Sequence, residues 1–476
     1  MSTATALRAE NTVVSALAGI VGDRYVLTDP QDIQPYIIEQ RDLWHGKALC
    51  VVRPADTAQV SAVLKFCSQT NTPVVPQGGN TGLVGGQVPD PTGTQVILAL
   101  NRMDKVREID TASNTMTVEA GLTLLRVQEI ADENDRLFPL SLGSEGSCTI
   151  GGNLATNAGG TAVLTYGNAR DLVNGLEVVL ADGRILSNLS KLKKDNTGYD
   201  LKHLFMGSEG TLGIITAAVC KLYPKPRSRE TAFVGVPDPA SATAFLTIAQ
   251  EMAGSDVKTF ELMPRMGIEF IVKHIPGMRE PLEGAHAWYV LMELASQSEE
   301  GLNDVLLGIL EKGMEEGLVE DAAIAASLEQ RKTFWKIREL MSEAPKFEGG
   351  SIKHDISVPV SKVAEFLEEA YQVVETVIPG SRLVPFGHLG DGNMHANVSQ
   401  PIGADKEEFL NRWHEMNEAV HAIVTRLNGS ISAEHGIGIL KRDLLPAVKD
   451  PVSLEVMRSI KLALDPKGIL NPGKVL

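Results

Sequence analysis

Two stretches of the chain concentrate side chains able to hold a metal ion. The first runs Gly387-His388-Leu389-Gly390-Asp391-Gly392-Asn393-Met394-His395-Ala396-Asn397, and the second Ser432-Ala433-Glu434-His435-Gly436-Ile437-Gly438. Imidazole and carboxylate suit Zn²⁺ and similar divalent ions, and three protein ligands leave coordination positions open for a substrate, as in a catalytic rather than a structural site. Any one of these histidines alone reads better as a core or surface residue, but the cluster is harder to dismiss. His395 and Asn397 lie two apart on an expected strand, so their side chains share a face. Glu434 and His435 are adjacent and would point opposite ways on a regular strand, so their joint use needs the irregular backbone that Gly436 and Gly438 permit.

A second constellation is cationic. Arg338 and Ser342 are four apart on an expected helix, and Lys353 is placed on the strand that follows. Together they could hold a carboxylate through charge-assisted hydrogen bonds. A solvated helix face with an ordinary arginine explains the same residues, and taken alone the sequence favours that explanation.

A third feature is a set of glycine loops. Pro76-Gln77-Gly78-Gly79-Asn80-Thr81-Gly82-Leu83 follows an expected strand and presents unobstructed backbone N–H groups that can cradle a pyrophosphate. It matches neither GxGxxG nor GxxxxGK[ST], which counts against a Rossmann or Walker site. Two more loops follow, Leu142 to Gly160 and Gly207 to Gly213. One such loop would be read as a tight turn. Three in one domain point to a long, bent, phosphate-containing cofactor.

These groups need elements to position them. The chain has 476 residues, enough for two or three domains. From Trp44 to Pro226, β-rich runs alternate with helical patterns: strand-like Ala48–Val52, helix-like Thr57–Gln69, strand-like Thr72–Pro76, a hairpin at Leu176–Leu180 with Asp182-Gly183, and a strand over Leu212–Tyr223. Beyond Arg227, helical patterns appear at Gly301–Glu316, Ala322–Ala344 and Lys406–Leu427, with strands at Ala287–Leu294 and Ser351–Val358. The expected fold is α+β, with domains over 1–226 (core 44–226) and 227–429 and a segment, 430–476, that packs back to complete the active site. With 60 acidic against 44 basic residues and a net charge of -16, nucleic acid is an unsuitable partner, and an anionic substrate would need local basic residues. The four cysteines form no CxxC pair, which fits a reducing cytoplasm. The apolar run Val13–Ile20 is read as an amphipathic helix rather than a membrane span, signal or presequence.

The order of the glycine loops resembles the FAD-binding domain of the vanillyl-alcohol oxidase/p-cresol methylhydroxylase superfamily. The resemblance implies that Pro76, Gly78, Gly79, Asn80, Thr81, Gly82 and Leu83 wrap the FAD pyrophosphate. Gly143, Ser144, Ser147, Cys148, Gly151, Gly152, Asn153, Ala155, Thr156, Asn157, Gly159 and Gly160, with Glu209, Gly210, Gly213 and Ile214, would line the rest. Covalent members often carry histidine where this chain has Asn80, so non-covalent FAD is expected. The histidine motifs, with the closing stretch Leu464 to Lys474, are similar to those of the D-2-hydroxy acid dehydrogenases within the superfamily. By that resemblance His388, His395 and Glu434 bind a divalent metal (zinc first, manganese or iron otherwise), His435 is the general base, Asn397 touches substrate and Asn471 reaches the flavin.

The resemblance extends to the cations, since D-2-hydroxyglutarate dehydrogenases use an Arg, a Thr and a Lys at these spacings for substrate. Arg338, Ser342 in place of the threonine, and Lys353 would then hold a distal carboxylate, which ranks 2-hydroxyglutarate first, D-malate next and D-lactate third. A lactate site would leave two buried cations without a partner, at a cost. The family further implies a homodimer, while the sequence leaves the electron acceptor open between an electron-transfer flavoprotein and a quinone. The residues also permit a flavin-free metallohydrolase, which would be colourless.

Overall fold

The computed structural model describes residues 3–476, and side chains from residue 12 onward. The chain forms two compact units. One contains the chain up to Gly159, Asn168–Pro224 and His435–Leu476; the other contains Gly160–Gly167 and Lys225–Glu434.

In the first unit, a four-stranded sheet has the order Val26–Leu27, Cys50–Val52, Val96–Ala99, Val74–Gln77, with the last three parallel. Parallel strands covered on both faces read as unbroken apolar runs, and Cys50–Val52 and Val96–Ala99 are buried throughout. The helix Thr57–Thr70 links two of these strands. Asp56 caps its first turn by accepting from the Gln59 N–H, Asn71 ends it in a left-handed conformation, and Val60, Val63, Leu64 and Cys67 form its buried stripe. The chain then enters Val74–Gln77, which delivers the first glycine loop. From the C-terminal segment, Leu470 bridges Val74 in parallel, with Val74 N donating to Ile469 O and Asn471 N to Val74 O, both at 2.8 Å. A second, antiparallel sheet has the order Val106–Asp110, Thr115–Glu119, Ile214–Lys221, Val173–Val179, Ile185–Asn188. Its last pair is the expected hairpin, with Gly183 at φ 88° in the turn.

The second unit is built on an eight-stranded sheet in which Val257–Pro264 lies between Trp288–Ser296 and Arg382–His388, and Arg382–His388 pairs with Asn393–Ser399. Alternation along Val257–Pro264 puts Phe260 and Leu262 on one face and Glu261 and Met263 on the other. Met263 packs with Phe334, Ile337 and Met341, so the helix Leu328–Leu340 covers the Glu261 face.

Several expected elements differ. Asp321–Ile324, read as the start of a helix, is a strand paired with Ser228–Val236, because a vacant sheet edge outweighs the helix preference of its alanines. The helix starts only at Leu328, after Ser327 caps it, and ends at Leu340, so Ser342 lies in the following turn rather than on the helix. Ser351–Val358 splits into Ser351–Ile352 and Ile356–Ser357, which leaves Lys353 in the gap rather than on a strand. Lys406–Leu427 forms two helices, Lys406–Asn411 and Trp413–Arg426.

Candidate active site

The glycine loops of the first unit pack on one another. A Cβ on Gly79 would fall 1.9 Å from Ser147 O, one on Gly78 would fall 2.3 Å from Thr149 Oγ1, and one on Gly210 would fall 2.4 Å from the Pro76 ring. These glycines are therefore required for loop to meet loop, as well as for any approach of a ligand. Gly151 and Gly213 have core reasons too, since their Cβ atoms would strike Ala120 and Val178. Gly143 and Gly146 face open space. Between the first two loops is a cleft of about 610 Å³ lined by residues that include Gly78, Gly79, Asn80, Ser147 and Thr149.

Unpaired polar groups of the first unit, two of them in this cleft, fit a large polar cofactor. Asn80 Oδ1, Thr149 Oγ1, Asn153 Nδ2 and Asn471 Oδ1 are buried without a hydrogen-bond partner, a costly condition that a bound ligand relieves. Asn80 sits at φ 55° and donates its amide to Pro35 O at 2.9 Å and Ile38 O at 3.0 Å, which holds the first loop in place. Two expected cofactor residues are occupied otherwise. The Glu209 carboxylate accepts from Ile437 N at 2.6 Å and Gly438 N at 2.8 Å, with burial pushing its pKa up, while Asn471 Nδ2 donates to Gly86 O and Glu209 O. Gly160 belongs to the second unit, and its N–H donates to Glu434 Oε1 at 2.7 Å. Of the other residues expected at the cofactor, Cys148, Asn153 and Ile214 are buried, and Asn157, at φ 51°, accepts from Arg170 N.

In the second unit the expected metal ligands converge. His388 ends one strand and His395 lies on its partner, and the Nε2 atoms stand 3.7 and 3.8 Å from separate oxygens of Glu434. Those distances are too long for hydrogen bonds. They lie near the ~3.3 Å that separates ligands sharing one tetrahedral ion at 2.0–2.1 Å. Glu434 sits in a bend rather than a strand, followed by Gly436 at φ 83°, so the backbone is irregular where the sequence required it. Burial pushes the Glu434 carboxyl upward against the pull of His388. Asn397 shares the His395 face of the strand and is 3% exposed.

Two carboxylates missing from the sequence-based set belong to this cluster. Asp355 is buried and offers an oxygen within 4.8 Å of ligand atoms of His395 and Glu434. Its oxygens accept from Asn393 Nδ2 at 3.1 Å and Glu434 N at 3.0 Å. Lys353-His354-Asp355 was a legible hint, since an acid two residues from a proposed substrate cation is a candidate by proximity. Glu261, fully buried, accepts from Arg338 Nε at 2.7 Å and pairs with His388 Nδ1 at 2.7 Å. Burial alone would raise its pKa, but His388 and Arg338 outweigh that and hold it at about 2. Burial would likewise lower His388, and Glu261 instead raises it to about 9.

The cations also differ from expectation. Arg338 is 8% exposed, so it is no solvated surface arginine, and its guanidinium stacks 4.8 Å from the Phe386 ring centroid. Ser342 Oγ donates to Glu339 O at 3.2 Å, and Lys353 Nζ donates to Ser342 O at 3.3 Å. Because Glu261 already neutralises Arg338, the cost of an unpartnered cation no longer argues against a monocarboxylate at that residue.

Comparison with known proteins shows the family and the fold. Residues 48–188 match the family model "FAD binding domain" and residues 225–475 match "FAD linked oxidases, C-terminal domain". The chain is 39% identical over 469 residues to a probable mitochondrial D-2-hydroxyglutarate dehydrogenase of Oryza sativa subsp. indica, covering 97% of this chain and 81% of that protein. The corresponding mitochondrial enzyme of Arabidopsis thaliana is 38% identical over 472 residues, with the same coverage. Among solved structures, p-cresol methylhydroxylase with substrate bound superimposes with a TM-score of 0.77 at 20% identity, covering 98% of this chain and 96% of that one. The FAD-binding match removes the flavin-free hydrolase. The cytoplasmic placement expected from cysteine usage is also overturned, because close relatives are named mitochondrial; unpaired cysteines fit any reducing compartment. Among the described residues no helix is long and apolar enough to cross a membrane. The α+β fold, the paired FAD domains and the relatedness over nearly the whole length together place this chain in the FAD-linked D-2-hydroxy acid dehydrogenases, with the fold of p-cresol methylhydroxylase.

Proposed function

We propose that the substrate is D-2-hydroxyglutarate, oxidised to 2-oxoglutarate, with D-malate second and D-lactate third. The observation that carries this reading is the buried Arg338, one carboxylate away from His388, with Lys353 beside Ser342. A substrate whose 1-carboxylate and hydroxyl meet the His388, His395 and Glu434 cluster would extend its second carboxylate toward these cations. Those three residues would hold the divalent ion, zinc first with manganese or iron as alternatives. When bound, the ion supplies Lewis acidity to the hydroxyl and FAD supplies the hydride acceptor. His435 takes the hydroxyl proton, Asn397 contacts the substrate, and Arg338 and Lys353 orient the far carboxylate.

Anaerobic mixing with D- and L-2-hydroxy acids tests this directly, with flavin bleaching fastest for D-2-hydroxyglutarate. Lys353→Ala is the cleaner substitution, because Arg338 also holds Glu261. A lost charged hydrogen bond is worth about 1.5–3 kcal/mol, so kcat/KM for D-2-hydroxyglutarate is expected to fall roughly ten- to a hundredfold while D-lactate changes little. Equal losses on both would move D-lactate to first rank.

FAD is held without a covalent bond, a reading supported by the Asn80 amide being committed to two backbone carbonyls. Denaturation with acid or guanidinium is expected to release all the flavin into the supernatant. Flavin that stays with the denatured chain would contradict this.

A further inference from the structure

We propose that Glu261 is a positioning residue that uses one carboxylate to set both the metal-binding tautomer of His388 and the pose of Arg338, coupling ion binding to recognition of the substrate's distal carboxylate. The proposal rests on the metal-bound reading above. It starts from strand register, since Glu261 lies directly opposite His388 in the antiparallel pair of Val257–Pro264 with Arg382–His388. Cross-strand neighbours of this kind hold their side chains in contact. The two oxygens divide their partners, Oε1 to His388 Nδ1 and Oε2 to Arg338 Nε, both at 2.7 Å.

A carboxylate only accepts, so His388 must carry a proton on Nδ1. In the neutral ring that places the Nε2 lone pair on the side of Glu434, the side a shared ion would occupy. An acceptor on the far nitrogen fixes the ring of a metal-binding histidine and raises its basicity. The same anion holds Arg338 by Nε and leaves its two terminal nitrogens for a ligand. No neutral residue of this shape can do both. A glutamine has one acceptor oxygen; its NH₂ would face either the Arg338 N–H, donor against donor, or His388 Nδ1, which would move the ring proton to the metal-facing nitrogen. A carboxylate with only a structural role would affect folding without linking ion affinity to substrate choice.

The test uses Glu261→Gln in the FAD-loaded protein, with zinc affinity measured by competition against a chromophoric chelator and manganese run in parallel. Zinc affinity is expected to fall by roughly ten- to a hundredfold, the usual scale for losing such a partner. At saturating zinc, kcat/KM for D-2-hydroxyglutarate is expected to fall further than that for D-lactate. A folded, FAD-loaded Glu261→Gln protein with unchanged zinc affinity overturns the proposal. Should that variant fail to fold, Arg338→Met removes one of the two donors without touching a proposed metal-binding residue, and a zinc affinity changed in either direction there supports the coupling while unchanged binding overturns it. A wild-type protein that takes up neither ion defeats the metal reading itself, an outcome distinct from normal uptake with an indifferent Glu261→Gln.

Discussion

Removing divalent ions by chelation is expected to lower hydroxy-acid oxidation by roughly a thousandfold or more, since Lewis-acid stabilisation contributes several kcal/mol and each 1.36 kcal/mol is tenfold. FAD should stay bound throughout. His388, His395 and Glu434 belong to the second unit, whereas Asn80, Thr149 and Asn153 belong to the first, so the two ligands draw on different side chains. The visible flavin spectrum is therefore the control, and adding back zinc or manganese should restore turnover. The geometry supports a large effect. Two imidazole nitrogens face separate oxygens of one half-buried carboxylate at distances that no hydrogen bond explains. Full activity in a protein shown by elemental analysis to be free of metal would sink the metal assignment.

His435→Asn is expected to slow anaerobic flavin reduction by roughly a hundred- to ten-thousandfold, the range for a lost general base. Asparagine keeps polarity and much of the volume but cannot accept a proton near neutral pH. His435 follows Glu434 directly, and Gly436 at φ 83° bends the chain immediately after it, so the proposed base is covalently tied to a proposed metal ligand. FAD content and zinc content should match wild type, which separates a lost base from a collapsed site. Reduction at a near-normal rate would reassign the base.

The parts of this protein legible in the sequence are those that local chemistry dictates. Glycine and proline punctuation located the loops after Val74–Gln77 and around Gly183, and period-two alternation put His395 and Asn397 on one face of Asn393–Ser399. Gly436 and Gly438 announced an irregular backbone beside Glu434. Local preference misled where a neighbour outweighed it. The alanines of Asp321–Ile324 became an edge strand because Ser228–Val236 offered unpaired backbone. Ser342 and Lys353 fell outside the helix and strand assigned to them because those elements stop earlier.

By itself, then, the sequence determined the fold class, the glycine loops and the two stretches that carry the histidines and acids, since each is written in residues close together along the chain, and resemblance to a known family turned the loops into an FAD site. Tertiary structure alone decided what surrounds that cluster. Glu261 is 127 residues before His388 and nothing nearby in sequence marks it; only the pairing of two antiparallel strands sets its carboxylate against that imidazole. The same pairing, with the helix Leu328–Leu340 laid over the Glu261 face, changes Arg338 from an ordinary surface arginine into a buried, neutralised cation. Close packing of loop on loop likewise decided that Gly78, Gly79 and Gly210 are needed where they stand, because the atoms that exclude a side chain there come from segments far away in the chain.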